Sequence, residues 1–412
     1  MLNIEPAARR RSTRGRVGLA LAGGGPLGAF FELGALHALA ECTDGLDLTA
    51  LHGYVGVSSG AIIAAGLANN ISTSEMGWIF IGDETQQFPM TPGTVMWPAF
   101  GEYLQRMMTV PSLLAQTLAM LASRSADRNW TAMLSPLLRA LPVGVFDNSP
   151  FERYLRNILE QPGRTNDFRK LKHPLRIIAV DINNSTEVRF GEPGFDKVPI
   201  SKAIQASTAL PGLYTPVTFN GRTFVDGALL RTMHASVVLD AGADLVISVN
   251  PLVTFSGGHR RKSGNLLNAG LPTVMSQTFR ALIQSRMQVG MAQYGIRYPY
   301  SDRLLIEPDR DDEAMFFVNV FSYTGRRRLV NHAYQRTRHD LLANASRLTP
   351  LLARHGITLR VDRLRDERRT FEKSIGETAQ HAHPTAKKLT HALDELSTML
   401  GRRISKRREH AA

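Results

Sequence analysis

The feature that most constrains the fold is a repeated alternation of strand and helix near the start of the sequence. Residues 16–22 (RVGLALA) form an apolar run that stops at three glycines, which is typical of a buried strand entering a tight loop. A helical pattern follows at 29–40, and the order returns with a strand at 52–58 and a helix at 59–70. This alternation predicts an α/β fold with a parallel sheet and right-handed crossovers.

Further apolar segments extend the predicted sheet, and these strands are 174–182, 186–190, 223–225, 244–249 and 303–306. A stretch of different composition lies before them, with all three tryptophans and half of the fourteen methionines between positions 76 and 133. We therefore expect an insertion at 71–150, either a mobile lid over a groove or a helical subdomain with its own core.

The bulk composition is that of a folded chain without disulfides. Of 412 residues, 43% are hydrophobic and 21% are charged, which is an ordinary balance for a globular protein. The single cysteine, Cys42, excludes an internal disulfide and a cysteine-based zinc cluster, and favours a cytoplasmic location. The formal net charge of +13 favours anionic partners such as acidic membrane surfaces or nucleic acid.

The arginine-rich start resembles a secretory signal, because five arginines between positions 9 and 16 precede an apolar run. We expect no signal peptide, since Glu32 and several glycines interrupt that run. No segment approaches the ~20 uninterrupted apolar residues that a spanning helix needs. Any contact with a membrane is therefore expected to be peripheral.

The pentapeptide GVSSG at 56–60 matches the G-x-S-x-G pattern of a nucleophile elbow. Gly56 and Gly60 flank Ser58 at the positions where strand and helix backbones come too close for a Cβ atom. The pattern also occurs in ordinary turns. Here it follows a predicted strand and opens a predicted helix, which favours a catalytic serine.

A second glycine motif, GGGPLG from Gly23 to Gly28, joins the first predicted strand to the first helix. Its N–H groups would lie at a helix N-terminus, where negative charge is stabilised. The letters also fit the dinucleotide pattern G-x-G-x-x-G, but the second strand ends in Ser58 instead of the acidic residue that such a fold needs. We interpret the loop as an oxyanion donor beside Ser58, and a loop used only for packing is the alternative.

A catalytic serine needs a base. Among the twelve histidines, His234 is the best candidate for a Ser-His-Asp arrangement, although a buried or capping histidine is the commoner fate of such a residue. Asp226 follows the predicted strand 223–225 and precedes Gly227, so its carboxylate lies at a strand end, where α/β folds bind ligands. An Asp-Gly pair alone usually indicates only a turn.

The order of these motifs resembles that of the patatin-like phospholipase family, whose members have G-G-G-x-x-G, then G-x-S-x-G, then D-G-[AG]. The segment ASTALPGLYTPV at 206–217 is also similar to the family segment before the aspartate. The resemblance covers residues 16 to 250 and implies a three-layer α/β fold with a mainly parallel sheet. It further implies hydrolysis of lipid or phospholipid esters, with Ser58 as nucleophile and Asp226 as proton acceptor, without histidine, metal or cofactor.

The resemblance places the oxyanion hole at the amides around Gly24, Gly25 and Pro26. Proline has no N–H, which narrows the hole to Gly24, Gly25 and Ser59. Many family members have a basic residue where this chain has Leu27. A lipid-binding scaffold that lost turnover is therefore one alternative, and a hydrolase with a histidine triad is another. Nucleic acid is not an expected partner, because no recognition motif accompanies the charge.

The predicted domain organisation has four parts. Residues 1–15 would be a basic tail, 16–255 the catalytic domain with its insertion, 256–355 an extension packed on that domain, and 356–412 a charged helical tail. Leu364, Phe371 and Ile375 form a thin apolar stripe in this last part, and a second stripe comprises Leu389, Leu393, Leu396 and Leu400. The basic ends would allow peripheral contact with an anionic membrane.

Two other polar groups are conspicuous. Residues 309–313 (DRDDE) resemble a calcium loop, but the glycine and glutamate that such a loop needs are missing, so we expect a solvated turn. Asp181 and Asn183 end a predicted strand and either line the cleft or cap the strand.

Overall fold

The computed structural model describes residues 1–9, 15–81, 90–122, 139–253, 293–312 and 322–382, with the single residues 278, 281, 290 and 315. The predicted stripe at 389–400 and the basic end at 401–412 lie outside this part of the chain.

The strands of the described residues are numbered in chain order. They are β1 (Leu2–Glu5), β2 (Val17–Leu21), β3 (Thr43–Asp44), β4 (Gly53–Val57), β5 (Trp97–Pro98), β6 (Gly144–Asp147), β7 (Leu175–Asp181), β8 (Thr186–Phe190), β9 (Gly212–Tyr214), β10 (Val217–Phe219), β11 (Arg222–Asp226), β12 (Leu245–Val249), β13 (Asp302–Ile306) and β14 (Thr358–Leu359).

The α-helices are numbered in the same way. They are α1 (Gly25–Glu41), α2 (Ser59–Ala68), α3 (Thr73–Ile81), α4 (Pro92–Val95), α5 (Phe100–Ala122), α6 (Ser149–Leu159), α7 (Ile200–Ser207), α8 (Ala235–Asp240), α9 (Tyr323–Ala343), α10 (Ala345–Ala353), α11 (Val361–Leu364) and α12 (Phe371–Ala382). Short 3₁₀ turns occur at Phe168–Lys170 and Gly227–Leu229. Among these helices, none is both long and apolar enough to cross a membrane.

The main sheet has the order β1-β13-β12-β2-β4-β7-β11-β10, and β8 pairs with β7. The neighbours from β13 to β7 are parallel, which confirms the parallel α/β fold expected from the strand–helix alternation. Every residue of β2, β4, β12 and β13 is buried. Strands covered on both faces read as continuous apolar runs, and this is why the sequence showed them clearly.

Two separate apolar clusters lie on the two faces of this sheet. Leu19 and Leu21 of β2 belong to the cluster that contains α1, α2 and α9. Ala20 belongs to the other, which contains Val237 and Val238 of α8. Because side chains alternate along a strand, the sheet is covered by helices on both sides, which gives the three layers of the predicted fold.

The amino-terminal segment differs from the predicted tail. Residues 2 to 5 form β1, antiparallel to β13, with Leu2 opposite Ile306, and Ile4 is buried. A four-residue strand that pairs with a distant segment leaves no local signal in the sequence. The sheet also extends past the predicted boundary at 255, because β13 is one of its members.

The segment after residue 356 also belongs to the main body. Phe371 and Ile375 are buried, and the Phe371 N–H donates to Asn331 Oδ1 at 2.9 Å. Arg369 pairs with Glu41 of α1. The high charge of this segment in the sequence concealed its few buried apolar residues.

The predicted insertion at 71–150 starts with a core helix. Met76 of α3 is buried in the main apolar cluster, and Gly77 lies against the ring of Phe371. The separate part therefore follows α3. It contains α5 and a three-stranded sheet, β5-β6-β9.

Candidate active site

Two strand ends meet on one edge of β7. Parallel β4 pairs Val57 with Ile178, and antiparallel β11 pairs Asp226 with Ala179. Strand β8 pairs with β7 over the same stretch, so β4 and β11 must share the opposite edge. The two strands therefore point head to head, and Ser58, which follows Val57, lies next to Asp226.

The turn at Ser58 has the geometry of a nucleophile elbow. Ser58 has φ 51° and ψ −120°, a backbone region that costs a non-glycine residue on the order of 1–3 kcal/mol and is concentrated at functional sites. A Cβ atom on Gly56 would lie 2.5 Å from the Gly60 carbonyl oxygen, and one on Gly60 would lie 2.6 Å from that of Ala22. The flanking glycines are thus required by backbone contact, as the sequence predicted.

The glycine motif lies against this elbow. A Cβ atom on Gly23 would be 3.1 Å from Ser58 Cβ and 3.2 Å from Ala228 Cβ, so the loop contacts the residues that carry both candidate groups. Gly25 has φ +62°. Gly28 is buried, and its N–H donates to the Gly24 carbonyl at 3.0 Å.

The amides of the loop differ in availability. The Gly23 N–H donates to the Thr232 carbonyl at 3.2 Å. Within the described residues, the N–H groups of Gly24, Gly25 and Ser59 have no backbone acceptor. They belong to the first residues of α1 and α2, where N–H groups lack an intrahelical partner. The three predicted oxyanion donors are thus unpaired, and Pro26 is exposed beside them.

Asp226 is buried at the end of β11. Its Oδ1 accepts from the Ala228 N–H at 2.8 Å, and its own N–H donates to the Ala209 carbonyl at 3.0 Å. Burial raises the pKa of Asp226 to about 6, while hydrogen bonds from the Ala228 N–H and the Ser58 hydroxyl act in the opposite direction. Gly227 is buried and begins the following 3₁₀ turn.

One residue that the sequence did not single out holds the elbow in place. Ser207, the last residue of α7, accepts from the Ser58 N–H at 2.8 Å and donates to the Ile178 carbonyl at 2.5 Å. Its hydroxyl therefore connects the elbow to the β7 residue opposite Val57. Ser207 lies within ASTALPGLYTPV, and this motif was the signal that could have identified it.

The other candidates lie in structural settings. His234 Nδ1 is 3.3 Å from Glu187 Oε2, at an angle that makes no hydrogen bond, and the contacts printed by the geometry of Asp226 involve Ser58 and Ala228 instead. Asp181 accepts from the Asn183 N–H and from Asn184 Nδ2, so it caps the β7–β8 turn.

Leu27 and the acidic segment at 309–313 also have structural contacts. Leu27 packs partly buried against the main core. In the acidic segment, Asp309 pairs with Arg336 and Asp312 with His332, both of α9. No group of metal-binding residues occurs in the described part of the chain.

Comparison with solved structures gives distant similarities. VipD from Legionella pneumophila is 17% identical with a TM-score of 0.36, and the match covers 83% of this chain and 70% of VipD. ExoU of the type III secretion system of Pseudomonas aeruginosa, in its complex with SpcU, is 15% identical with a TM-score of 0.27 over 84% of this chain and 64% of that one. At these TM-scores the two structures carry no detailed alignment.

The sequence itself matches a family model directly. The model of the patatin-like phospholipase family covers residues 19–239, which is more than half of the chain. The match includes the glycine loop, the elbow and the aspartate. The chain belongs to the patatin-like phospholipase family.

Proposed function

We propose that this protein is a serine acyl hydrolase that cleaves carboxyl esters of lipids, with Ser58 as nucleophile and Asp226 as its base. Family membership supports lipid hydrolysis as the class of activity. The observation that carries the residue assignment is the head-to-head meeting of β4 and β11, which presents Ser58 on a strained turn to a buried carboxyl.

In the first step, Ser58 Oγ attacks the ester carbonyl carbon while its proton passes to the Asp226 carboxylate. The carbonyl π electrons move to oxygen and give a tetrahedral oxyanion. The raised pKa of Asp226 makes this carboxylate a stronger base than an exposed aspartate, yet it remains ionised at neutral pH. The oxyanion is stabilised by the unpaired N–H groups of Gly24, Gly25 and Ser59, each such donor being worth about 10²–10³ in rate.

Collapse of this intermediate breaks the bond to the alcohol, which takes the proton back from Asp226 and leaves. The acyl group is then joined to Ser58 Oγ as an ester. Water attacks this acyl-enzyme after giving a proton to Asp226, and the released Ser58 oxygen recovers that proton. The products are one alcohol and one carboxylic acid.

The test compares the wild type with Ser58→Ala, Asp226→Asn and His234→Ala on a soluble short-chain ester and on a panel of lipids. We expect the first two variants to lose activity by about 10³-fold or more while circular dichroism shows an unchanged fold. His234→Ala should retain most activity. A fluorophosphonate probe should label wild type but not Ser58→Ala.

The dependence of kcat/KM on pH provides an independent readout. Activity should fall as the pH drops below about 6, because the base must be ionised and the pKa of Asp226 is raised to about 6. If His234→Ala removes activity as fully as Ser58→Ala in a folded protein, the base is a histidine. Absence of fluorophosphonate labelling with intact lipid binding would instead support the scaffold alternative.

A further inference from the structure

Helix α5 carries its apolar residues on its outer side. Phe100, Leu104, Met107 and Leu118 are between 58% and 64% exposed. Pro111 and Leu114 are exposed between them. This spacing of three and four residues places all six on one side of a helix. We call this surface, formed by Phe100, Leu104, Met107, Pro111, Leu114 and Leu118, the α5 apolar face.

The opposite side of α5 is the one attached to the protein. Glu102 Oε1 accepts from the Val143 N–H at 3.3 Å, the Tyr103 hydroxyl donates to the Val145 carbonyl at 2.5 Å, and Arg106 donates to the Arg139 carbonyl at 2.8 Å. Farther along, Leu113 and Thr117 are buried. A surface helix normally directs its apolar stripe inward. Here the orientation is reversed, so the exposure is not a consequence of fraying.

The apolar face continues onto the small sheet. The rings of Trp97 in β5 and Phe100 lie 6.4 Å apart at 83°, and Trp97 is 49% exposed. In the neighbouring strands β6 and β9, Val145 and Leu213 are also exposed. Large contiguous apolar patches on a protein surface mark interaction sites.

This surface extends to the neighbourhood of the catalytic residues. Leu213 follows Ala209 by four residues, and the Ala209 carbonyl accepts from the Asp226 N–H. A chain of four residues spans at most about 14 Å. The edge of the patch thus lies within one lipid length of the site.

The charge distribution identifies the occupant. The segment 97–122 contains two charged residues, Glu102 and Arg106, and these pair with each other at 2.8 Å on the attached side. The exposed residues beside the apolar face are uncharged, namely Gln105, Thr109, Ser112 and Gln116. An apolar stripe bordered by neutral polar groups complements a zwitterionic lipid surface and has no charge with which to select an anionic one.

A second copy of the chain is a poorer occupant. Pro111 lies inside α5, on the apolar face itself. Proline in a helix interior removes a backbone hydrogen bond and bends the helix, which interrupts the regular side-chain packing that a helix–helix seam requires.

We propose that the α5 apolar face, together with Trp97, Val145 and Leu213, docks on a zwitterionic lipid surface and holds the active site against it. This inference rests on the proposed function for its purpose, but the docking itself does not require turnover. Binding is driven by apolar burial and is therefore insensitive to salt.

The test uses full-length Ser58→Ala protein and phosphatidylcholine vesicles in a co-sedimentation assay at low and high salt. The variant Leu104→Gln/Met107→Gln, in the same background, should lower the vesicle partition coefficient by about tenfold or more. The matched control, Thr109→Gln/Ser112→Gln, makes the same replacement on the neutral side of the same helix and should leave binding unchanged.

Two further measurements separate this inference from the proposed function. With Ser58 intact, Leu104→Gln/Met107→Gln should hydrolyse a soluble short-chain ester as the wild type does and lose activity only on vesicles. If no variant or wild type hydrolyses any ester while the docking result stands, the proposed function fails alone. Equal vesicle binding by both double variants overturns the docking proposal. So does a lipid-free dimer that Leu104→Gln/Met107→Gln converts to monomers, since the face would then belong to a second copy.

Discussion

The carboxyl of Asp226 lies where a charge is costly. Its pKa is about 6 in the folded protein, compared with about 4 for aspartate in an unfolded chain. The folded state therefore binds this proton more tightly than the unfolded state does. Its contribution to stability is fully present below the unfolded value, decreases as the pH rises toward 6, and is lost above it.

Asp226→Asn should accordingly stabilise the protein above pH 7 while it abolishes hydrolysis. The amide keeps an oxygen to accept from the Ala228 N–H and carries no charge. A shift of about two pKa units corresponds to an upper value on the order of 3 kcal/mol. Thermal unfolding measured at pH 8 should show a higher Tm for the variant, and the difference should shrink toward pH 4.

A suitable control for that measurement is Asp181→Asn, at a buried aspartate that caps a turn and lies 3.8 Å from Arg222. This variant should leave Tm unchanged or lower it. A decrease in Tm for Asp226→Asn at pH 8 would contradict the view that the site gives up stability for basicity.

At the scale of elements, the site depends on how α7, β4 and β7 are joined by one hydroxyl. Ser207→Ala removes the acceptor of the Ser58 N–H and a donor to the Ile178 carbonyl. Leaving such buried groups unpaired costs about 1–3 kcal/mol. We expect a lower Tm and, because the elbow shifts, a fall in kcat of about 10–100-fold with little change in KM.

Thr208→Ala is the matched control, because Thr208 is the next residue and its hydroxyl donates within α7, to the Ile204 carbonyl. Fluorophosphonate labelling distinguishes positioning from general destabilisation. Ser207→Ala should be labelled more slowly than Thr208→Ala at a temperature where both are folded. Equal rates would reduce Ser207 to a packing role.

The predictability of these elements followed their burial. Strands β2, β4, β7, β12 and β13 were predicted within two residues, because strands covered on both faces are apolar throughout. The short strands β1, β9 and β10 were not predicted, since their pairing is decided by distant partners. Motif order predicted Ser58 and Asp226 as candidates. It could not show that β4 and β11 share one edge of β7, or that Ser207 connects them, because both facts exist only after the sheet has assembled.

At the scale of the whole molecule, the net charge of +13 is a separate property from the α5 apolar face. Arg402, Arg403, Lys406, Arg407 and Arg408 form one basic end of the sequence. Near an anionic membrane each such side chain contributes about 1 kcal/mol, and salt screens the attraction over about 8 Å. We propose that this end adds affinity for anionic lipid.

Deletion of residues 401–412 should weaken co-sedimentation with vesicles that contain phosphatidylserine, and it should reduce the dependence of binding on salt. Binding to pure phosphatidylcholine vesicles should not change. If the deletion leaves binding to both kinds of vesicle equal to that of the full chain, the basic end has no part in membrane contact.

The pairing of β1 with β13 has a consequence for the order of events during synthesis. Leu2 and Ile306 are partners in the finished sheet, so the first strand to leave the ribosome waits for one of the last. At about 5–20 residues per second, that wait is roughly 15–60 s. For this time the residues of β1 have neither their hydrogen-bonding partner nor the cover of the finished core. The newborn chain is then most open to chaperones, and to pairing with the wrong strand.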